Sequence, residues 1–362
     1  MMFSIGLGFT SNCNMNCPFC YSRNTRLKND DCSVSEWIGF IDRNSKYIKD
    51  INYGTGENTT SETWYNFITY VRKNHPHIKQ ALTTNGVMSN IIENNVDKRI
   101  IIQECIDEID VSLDFGKPEI HNYYRGNEKA YEWALNTLLF CKLNRKDATI
   151  VLLGIDETLN SENLNSIFEI AKTFESKVRI NLYRPVDKNS RIKPVSFEKI
   201  DWLFNWINQN QEFLSISDPL FSSLYFRNYI KPDPSGISSV RIIHTGDIYP
   251  STYLLSDELK MGNIKDFNFL TIEANPIYKM IRDIQIPKEC SNCELKMTCC
   301  GGVLDRRYLW YGSFSERDPY CPTRYNMKIE DVFKEGFTLS NREFSSVHDG
   351  YLPTLFFGYK KD

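Results

Sequence analysis

Eleven cysteines are spread unevenly over 362 residues, with three inside positions 13–20 and five inside 290–321. Two tight groups at opposite ends constrain the fold strongly, because each group points to one shared site. The stretch MMFSIGLGFT has no basic n-region and runs straight into the first group. It reads as a strand rather than a signal peptide, and the protein is expected in the cytoplasm. A reducing compartment favours metal-binding or catalytic thiols over disulfides. Cys105 and Cys141 lie in the apolar stretches RIIIQECIDEI and ALNTLLFCKL and read as small buried hydrophobes, while Cys32 sits in a polar loop.

The first group is Cys13-Asn-Met-Asn-Cys17-Pro-Phe-Cys20-Tyr21. Three thiolates on one short loop can hold three corners of a cubic [4Fe–4S] cluster, which normally takes four protein ligands. The fourth iron would stay open to a small molecule carrying an amine and a carboxylate. A zinc site with a distant fourth ligand is the competing reading. The second group runs Cys290, Cys293, Cys299, Cys300 and then Cys321. Four of these thiolates suffice for a fully ligated [4Fe–4S] cluster or for a four-thiolate zinc site.

Residues 1–185 alternate β-like runs with amphipathic stretches. Strands are expected at 3–9, in a run ending at Tyr53, and at 80–84, 109–114, 149–155 and 178–183. Between them SETWYNFITYVRKN, KAYEWALNTLLFCKL and SENLNSIFEIAKTF have helical spacing. Such alternation implies βαβ units and a parallel sheet, open or partly closed. A helix is expected at 196–209, a boundary at KPDPSGIS, a β-hairpin turning at Thr245-Gly246-Asp247, and a short helix near 273–283; the tail 336–362 carries no pattern. The formal charge of −3 leaves no footprint for nucleic acid. No apolar run reaches the roughly 18 residues that span a bilayer, so no membrane role is expected.

The first cysteine loop closely resembles the C-x3-C-x-φ-C motif of the radical S-adenosylmethionine (SAM) superfamily, with Phe19 at the aromatic position. The resemblance implies a partial (β/α)6 barrel over residues 1–195 and a cluster whose open iron chelates SAM. One electron then cleaves the cofactor to a 5′-deoxyadenosyl radical that abstracts hydrogen. Further matches follow in order. Gly54-Thr55-Gly56-Glu57 is similar to the G-G-E motif that receives the cofactor's ammonium, with Thr55 in place of a glycine. Thr84-Asn85-Gly86 resembles a T-N-G motif, and Ser112-Leu113-Asp114 with His121 to Arg125-Gly126 resembles the S-L-D…H-D-x-x-R-G run of the SPASM branch. By resemblance, Gly54, Thr55, Gly56, Glu57, Asn85, Ser112, Asp114 and Arg125 are cofactor-binding candidates, Ser112 reaching the ribose or carboxylate and Arg125 pairing with the carboxylate or bracing the loop. The Gly54–Glu57 loop also has a plainer reading as a solvent-facing turn, and Arg125 as a surface ion pair. Arg184, ending the sixth strand, either faces the cavity or is structural.

Residues 238–335 resemble the small α+β SPASM/twitch extension, reached through a helical linker at 196–237 and followed by the tail 336–362. Gly246-Asp-Ile-Tyr-Pro250 and Gly262-Asn263-Ile264 carry that likeness upstream. A full SPASM domain holds two auxiliary clusters. Here Ser251 and Val303 stand where cysteines of one cluster are expected, while Cys290, Cys293, Cys299 and Cys321 match the ligands of the other. The expectation is two [4Fe–4S] clusters, one binding SAM and one auxiliary. Cys300 is then a spare thiol: a hydrogen donor to a substrate radical, a substrate ligand or an idle side chain.

The favoured reading is a radical SAM maturase that crosslinks, epimerises or oxidises a residue of a ribosomally made peptide. A dehydrogenase or epimerase of an aminoglycoside or sugar is the alternative, and an iron–sulfur electron carrier or a zinc-stabilised binding protein are the non-enzymatic ones. With the cysteine loop starting at residue 13, no leader-binding domain fits ahead of it. A peptide substrate would then be gripped by the barrel, the hairpin or a separate leader-binding protein. A flavodoxin or ferredoxin is the expected reductant.

Overall fold

The computed structural model describes residues 1–27, 30–187, 191–227, 229–332 and 336–360. Six parallel strands, β1 (Phe3–Leu7), β2 (Ile48–Tyr53), β3 (Lys79–Thr84), β4 (Glu108–Ser112), β5 (Asp147–Gly154) and β6 (Lys177–Leu182), pair in chain order. They match the six expected strands to within a few residues. Helices cross between successive strands, among them Val34–Asn44, Glu62–Asn74, Ala130–Leu143 and Ser161–Phe174. The first is started by Ser33, whose hydroxyl accepts from the Glu36 amide while the Glu36 carboxylate takes the Ser33 amide. The outer layer is aromatic: Trp37 and Phe67 pack on Phe9, and Trp64 meets the edge of Tyr53.

A parallel sheet whose strand order never reverses has no switch point and wraps instead. Side chains of β2 to β6 face one cavity: Asn52, Thr83, Ser112, Leu153 and Asn181 all line it. Arg179 of β6 reaches across β5 to Asp110 of β4, at 2.9 Å. The fold is therefore a partial (β/α)6 barrel with its helices outside.

The sheet continues past the six strands. β7 (Gln211–Ile216) lies in the segment expected to be a helical linker, between the helices Phe197–Asn210 and Pro219–Tyr225. β8 (Ser239–Ile242) runs parallel to β1 and forms the expected hairpin with β9 (Asp247–Tyr249), which pairs with β10 (Gly262–Asn263). From the patternless tail comes β11 (Leu355–Tyr359), antiparallel to both β6 and β7. Among the described residues one sheet of eleven strands thus joins the barrel to the C-terminal third. Cys105 and Cys141 are buried in the core. Among the described residues no helix is long and apolar enough to cross a membrane.

Candidate functional site

Beyond β1 the chain enters the cysteine loop, which other segments hold in shape. Asp31 accepts the Thr10 hydroxyl at 2.8 Å and the Ser11 amide at 3.0 Å. The Glu57 amide donates to Asn12 O at 2.7 Å. Gly56, with φ of +72°, lies so close that an added Cβ would meet Thr10 O at 2.4 Å and Asn12 O at 2.6 Å. Cys13, Cys17 and Cys20 all border one cavity of about 190 Å³. Burial pushes the Cys13 thiol up to about 11 and raises Cys17, whose rise Arg125 opposes. Such thiols ionise when a metal takes the proton's place. Among the described residues no three His, Cys, Asp or Glu side chains converge on a single-ion site. A cubane brings its own sulfides and asks for one thiolate per iron, which suits three thiols set around a cavity.

The aromatic position has a visible use. The Arg125 guanidinium sits 5.1 Å over the Phe19 ring, and its backbone carbonyl is 3.8 Å from Cys17 Sγ. Its Nε donates to Asp114 Oδ2 at 2.8 Å. Of the two roles expected for Arg125, this geometry is that of a loop brace.

Glu57 is sealed from solvent and lines the cavity. Burial raises its pKa, and its donors work against the rise: Thr59 Oγ1 at 2.7 Å, Thr84 Oγ1 at 3.0 Å and the Asn85 amide at 2.8 Å. It thereby ties the end of β2 to the end of β3. Gly54, Gly56, Asn85, Ser112, Asp114 and Arg125 also line the cavity, whereas Thr55 is buried beside Gly8 and does not. The Asn85 amide group donates to Asn14 Oδ1 at 2.8 Å, beside Cys13. Arg184 lines the cavity as well and is paired with Asp305.

The cavity floor comes from residues the sequence reading passed over. The segment 346–352 enters the barrel, and Gly6 makes room for it: a Cβ there would stand 1.7 Å from the Tyr351 hydroxyl. His348 Nδ1 lies 2.6 Å from Asp110 Oδ2, the same oxygen that pairs with Arg179. Burial alone would raise Asp110, but Arg179 and His348 pull it down to about 2. Burial, then Arg179, lowers the pKa of His348 against the opposing pull of Asp110. Arg241 of β8, Thr252 and Tyr351 complete the floor, the last two sharing a hydroxyl–hydroxyl hydrogen bond. One signal was available: Asp110, Arg179 and Arg241 are each a charge flanked by apolar residues in I-D-V, V-R-I and V-R-I, the mark of a strand with an apolar outer and a polar inner face.

The radical SAM superfamily profile matches residues 7–168, the span that starts at the last residue of β1 and holds the cysteine loop and the strands β2 to β5. The chain carries a radical SAM domain over these residues. An AdoMet-dependent heme synthase of Methanosarcina barkeri is 24% identical over 352 residues, covering 88% of this chain and 96% of that protein. A cysteine-type anaerobic sulfatase-maturating enzyme of Clostridium novyi is 24% identical, covering 91% of each. Among solved structures, Streptococcus suis SuiB bound to its precursor peptide SuiA superposes with a TM-score of 0.69 at 17% identity, over 89% of this chain and 76% of that one. Native anSMEcpe with bound AdoMet and the Cp18Cys peptide gives 0.68 at 16%, over 92% and 96%. These structural likenesses speak for the fold. With its radical SAM domain and its enzyme relatives, the chain is an enzyme.

The radical SAM chain has a second thiol site. Cys290, Cys293, Cys299 and Cys321 border a single pocket, walled otherwise mainly by Leu220, Leu224, Leu295, Pro322 and Ile329. Burial pushes Cys290 up to about 11 and raises Cys299 further. Cys300 stays outside both pockets: it is exposed, takes a left-handed φ of +50°, and its sulfur lies 3.7 Å from Met297 O. From there it does not face the barrel cavity. Ser251 and Val303 sit in a buried polar network instead. Ser251 Oγ is 3.4 Å from Asp305, the Val303 amide donates to Asp318, and Arg306 bridges Asp318 and Asp218.

Proposed function

We propose that this radical SAM enzyme holds a SAM-binding [4Fe–4S] cluster on Cys13, Cys17 and Cys20 and an auxiliary [4Fe–4S] cluster on Cys290, Cys293, Cys299 and Cys321. The observation that carries the reading is the meeting of the three loop thiols with Gly54, Glu57, Asn85 and Ser112 on one cavity at the C-terminal ends of the barrel strands. The carbonyls around Gly54 and Gly56 offer acceptors for an ammonium, and glycine allows the close approach. Glu57 keeps that loop in register with Asn85, Ser112 offers a hydroxyl to a ribose or carboxylate, and Arg125 on Asp114 keeps Phe19 and Cys17 in place. When bound, the cluster and SAM supply a 5′-deoxyadenosyl radical, which takes a hydrogen atom from an unactivated carbon. The barrel walls exclude water and aim the substrate at that point. The auxiliary thiols, remote in sequence, suit an electron path or a structural brace.

The substrate we favour is a residue of a ribosomally made peptide. The sulfatase-maturating relative and the peptide-bound SuiB and anSMEcpe structures support it. A SPASM/twitch assignment with a single auxiliary cluster accords with the four-cysteine pocket and with the residues at Ser251 and Val303. The heme synthase relative favours a second reading, a small-molecule substrate. A flavodoxin or ferredoxin would supply electrons, and a separate protein would present a leader peptide. The test is anaerobic reconstitution followed by reductive cleavage of SAM and deuterium transfer from labelled peptides into 5′-deoxyadenosine. Replacing Cys13, Cys17 and Cys20 together by Ala should abolish cleavage even with strong reductant. Cleavage surviving in that variant would refute the assignment.

A further inference from the structure

The charges around the barrel cavity do not balance. Two carboxylates line it, Glu57 and Asp114, and both are committed. Glu57 takes Thr59, Thr84 and the Asn85 amide; Asp114 takes Arg125 and the Leu153 amide. Arg179 has Asp110 behind it at 2.9 Å, and Arg184 has Asp305 at 2.6 Å. Arg241 lines the same cavity and is 1% exposed, yet it has no acidic partner among the described residues. Its Nε and Nη2 find no acceptor, and neither does Arg179 Nε. Its guanidinium lies 6.0 Å from the centre of the Tyr21 ring, and the hydroxyl-bearing side chains of Thr252, Tyr253 and Tyr351 line the same cavity.

A guanidinium does not give up its proton, so it stays charged in the floor. A buried cation without a counter-charge is costly, and natural sites supply a partner. Here no such partner stands on the protein side of the cavity among the described residues. Arg26 also lines the cavity without a carboxylate partner among the described residues, but it stands at the cysteine loop, with Nη2 3.9 Å from Cys20 Sγ. At the floor one uncompensated positive charge among hydroxyl groups matches a monoanion; a dianion such as a phosphate ester would leave the floor negative. Resting on the radical SAM reading above, we propose that the floor formed by Arg241, Arg179 and Tyr351 is a subsite for a carboxylate of the substrate. The carboxylate belongs either to an acidic residue of a peptide or to a free carboxylic acid. It would anchor the substrate at the floor and leave its carbon chain toward the cysteine loop.

The test uses anaerobically reconstituted, SAM-loaded protein and two matched probe pairs, read by isothermal titration calorimetry. One pair is the blocked peptides Ac-Gly-Ala-Glu-Ala-Gly-NH2 and its Gln counterpart; the other is 3-phenylpropionate and 3-phenylpropanamide. The carboxylate member should bind at least about tenfold more tightly in one pair or both, and the pair that discriminates identifies the source. Phenyl phosphate should bind more weakly than 3-phenylpropionate. Arg241→Gln should erase the discrimination, and Arg241→Lys should keep part of it. Equal binding within both pairs of the wild-type protein overturns the proposal, whether or not the variants fold. So does tighter binding of the phosphate, or discrimination persisting in a folded Arg241→Gln protein. Wild-type SAM cleavage, measured in the same preparation, judges the radical reading separately.

Discussion

Arg184 Nε lies 2.6 Å from Asp305 Oδ1, with both side chains sealed from solvent. The pair pins the end of β6 to the helix Leu304–Tyr311, which lies between Cys300 and Cys321 of the second cysteine group. Arg184 also donates to Leu182 O at 3.2 Å and Pro353 O at 3.3 Å, so one guanidinium gathers three parts of the chain. Removing one partner of such a pair strands the other charge. Asp305→Ala is expected to lower unfolding stability by about 3 kcal/mol, measured by urea denaturation of the metal-free protein. A loss under about 1 kcal/mol would show that water replaces the carboxylate.

The two thiol sites should fail independently. In Cys290→Ala, iron should fall from about eight to about four per chain, with SAM cleavage retained and product formation largely lost. Iron quantitation with an uncoupled cleavage assay decides it. A variant that keeps full iron and full turnover would remove the auxiliary cluster from the scheme.

Much of the barrel was legible because its signals are local. Six apolar strands and three helical stripes between them declare themselves before residue 185, and each motif of the cofactor loops sits on a strand end. The parts that escaped depend on distant partners. LFFGY is too short to declare itself, and it becomes β11 by filling the space between β6 and β7. QEFLSI in the supposed linker becomes β7 for the same reason. Arg179, Arg241 and His348 come from segments far apart in the chain, and only the curl of the sheet makes them neighbours. Gly6 shows the limit well: nothing in FSIGL foretells that a tyrosine 345 positions later will occupy the space of its missing side chain.

Gly56 should tolerate no side chain. Its φ is +72°, and an added methyl would strike two carbonyl oxygens of the cysteine loop. Relief requires moving that loop away from Glu57. Gly56→Ala is expected to weaken SAM binding at least about tenfold, or about 1.4 kcal/mol, with little change in the auxiliary site's iron. Equilibrium dialysis with labelled SAM measures it, and unchanged affinity would mean that the loop is looser than its contacts imply.

Glu108 gives the fold a pH dependence with a defined sign. It is buried at the foot of β4, and burial, aided by Asp110, pushes it up to about 7 against the pull of the Val347 amide. An unfolded glutamate titrates near 4.3. The folded state therefore binds the proton more tightly, so the contribution is favourable at low pH and is lost as pH rises through about 7. Glu108→Gln keeps an acceptor for Val347 and Ser346 without the charge. It should be more stable than wild type by about 3 kcal/mol at pH 8. That advantage should shrink through neutrality and vanish below the unfolded pKa. Urea unfolding of both proteins across this range reads the difference. A gap that does not change with pH would show that Glu108 has water or a cation beside it, and that the lower barrel is wetter than its packing suggests.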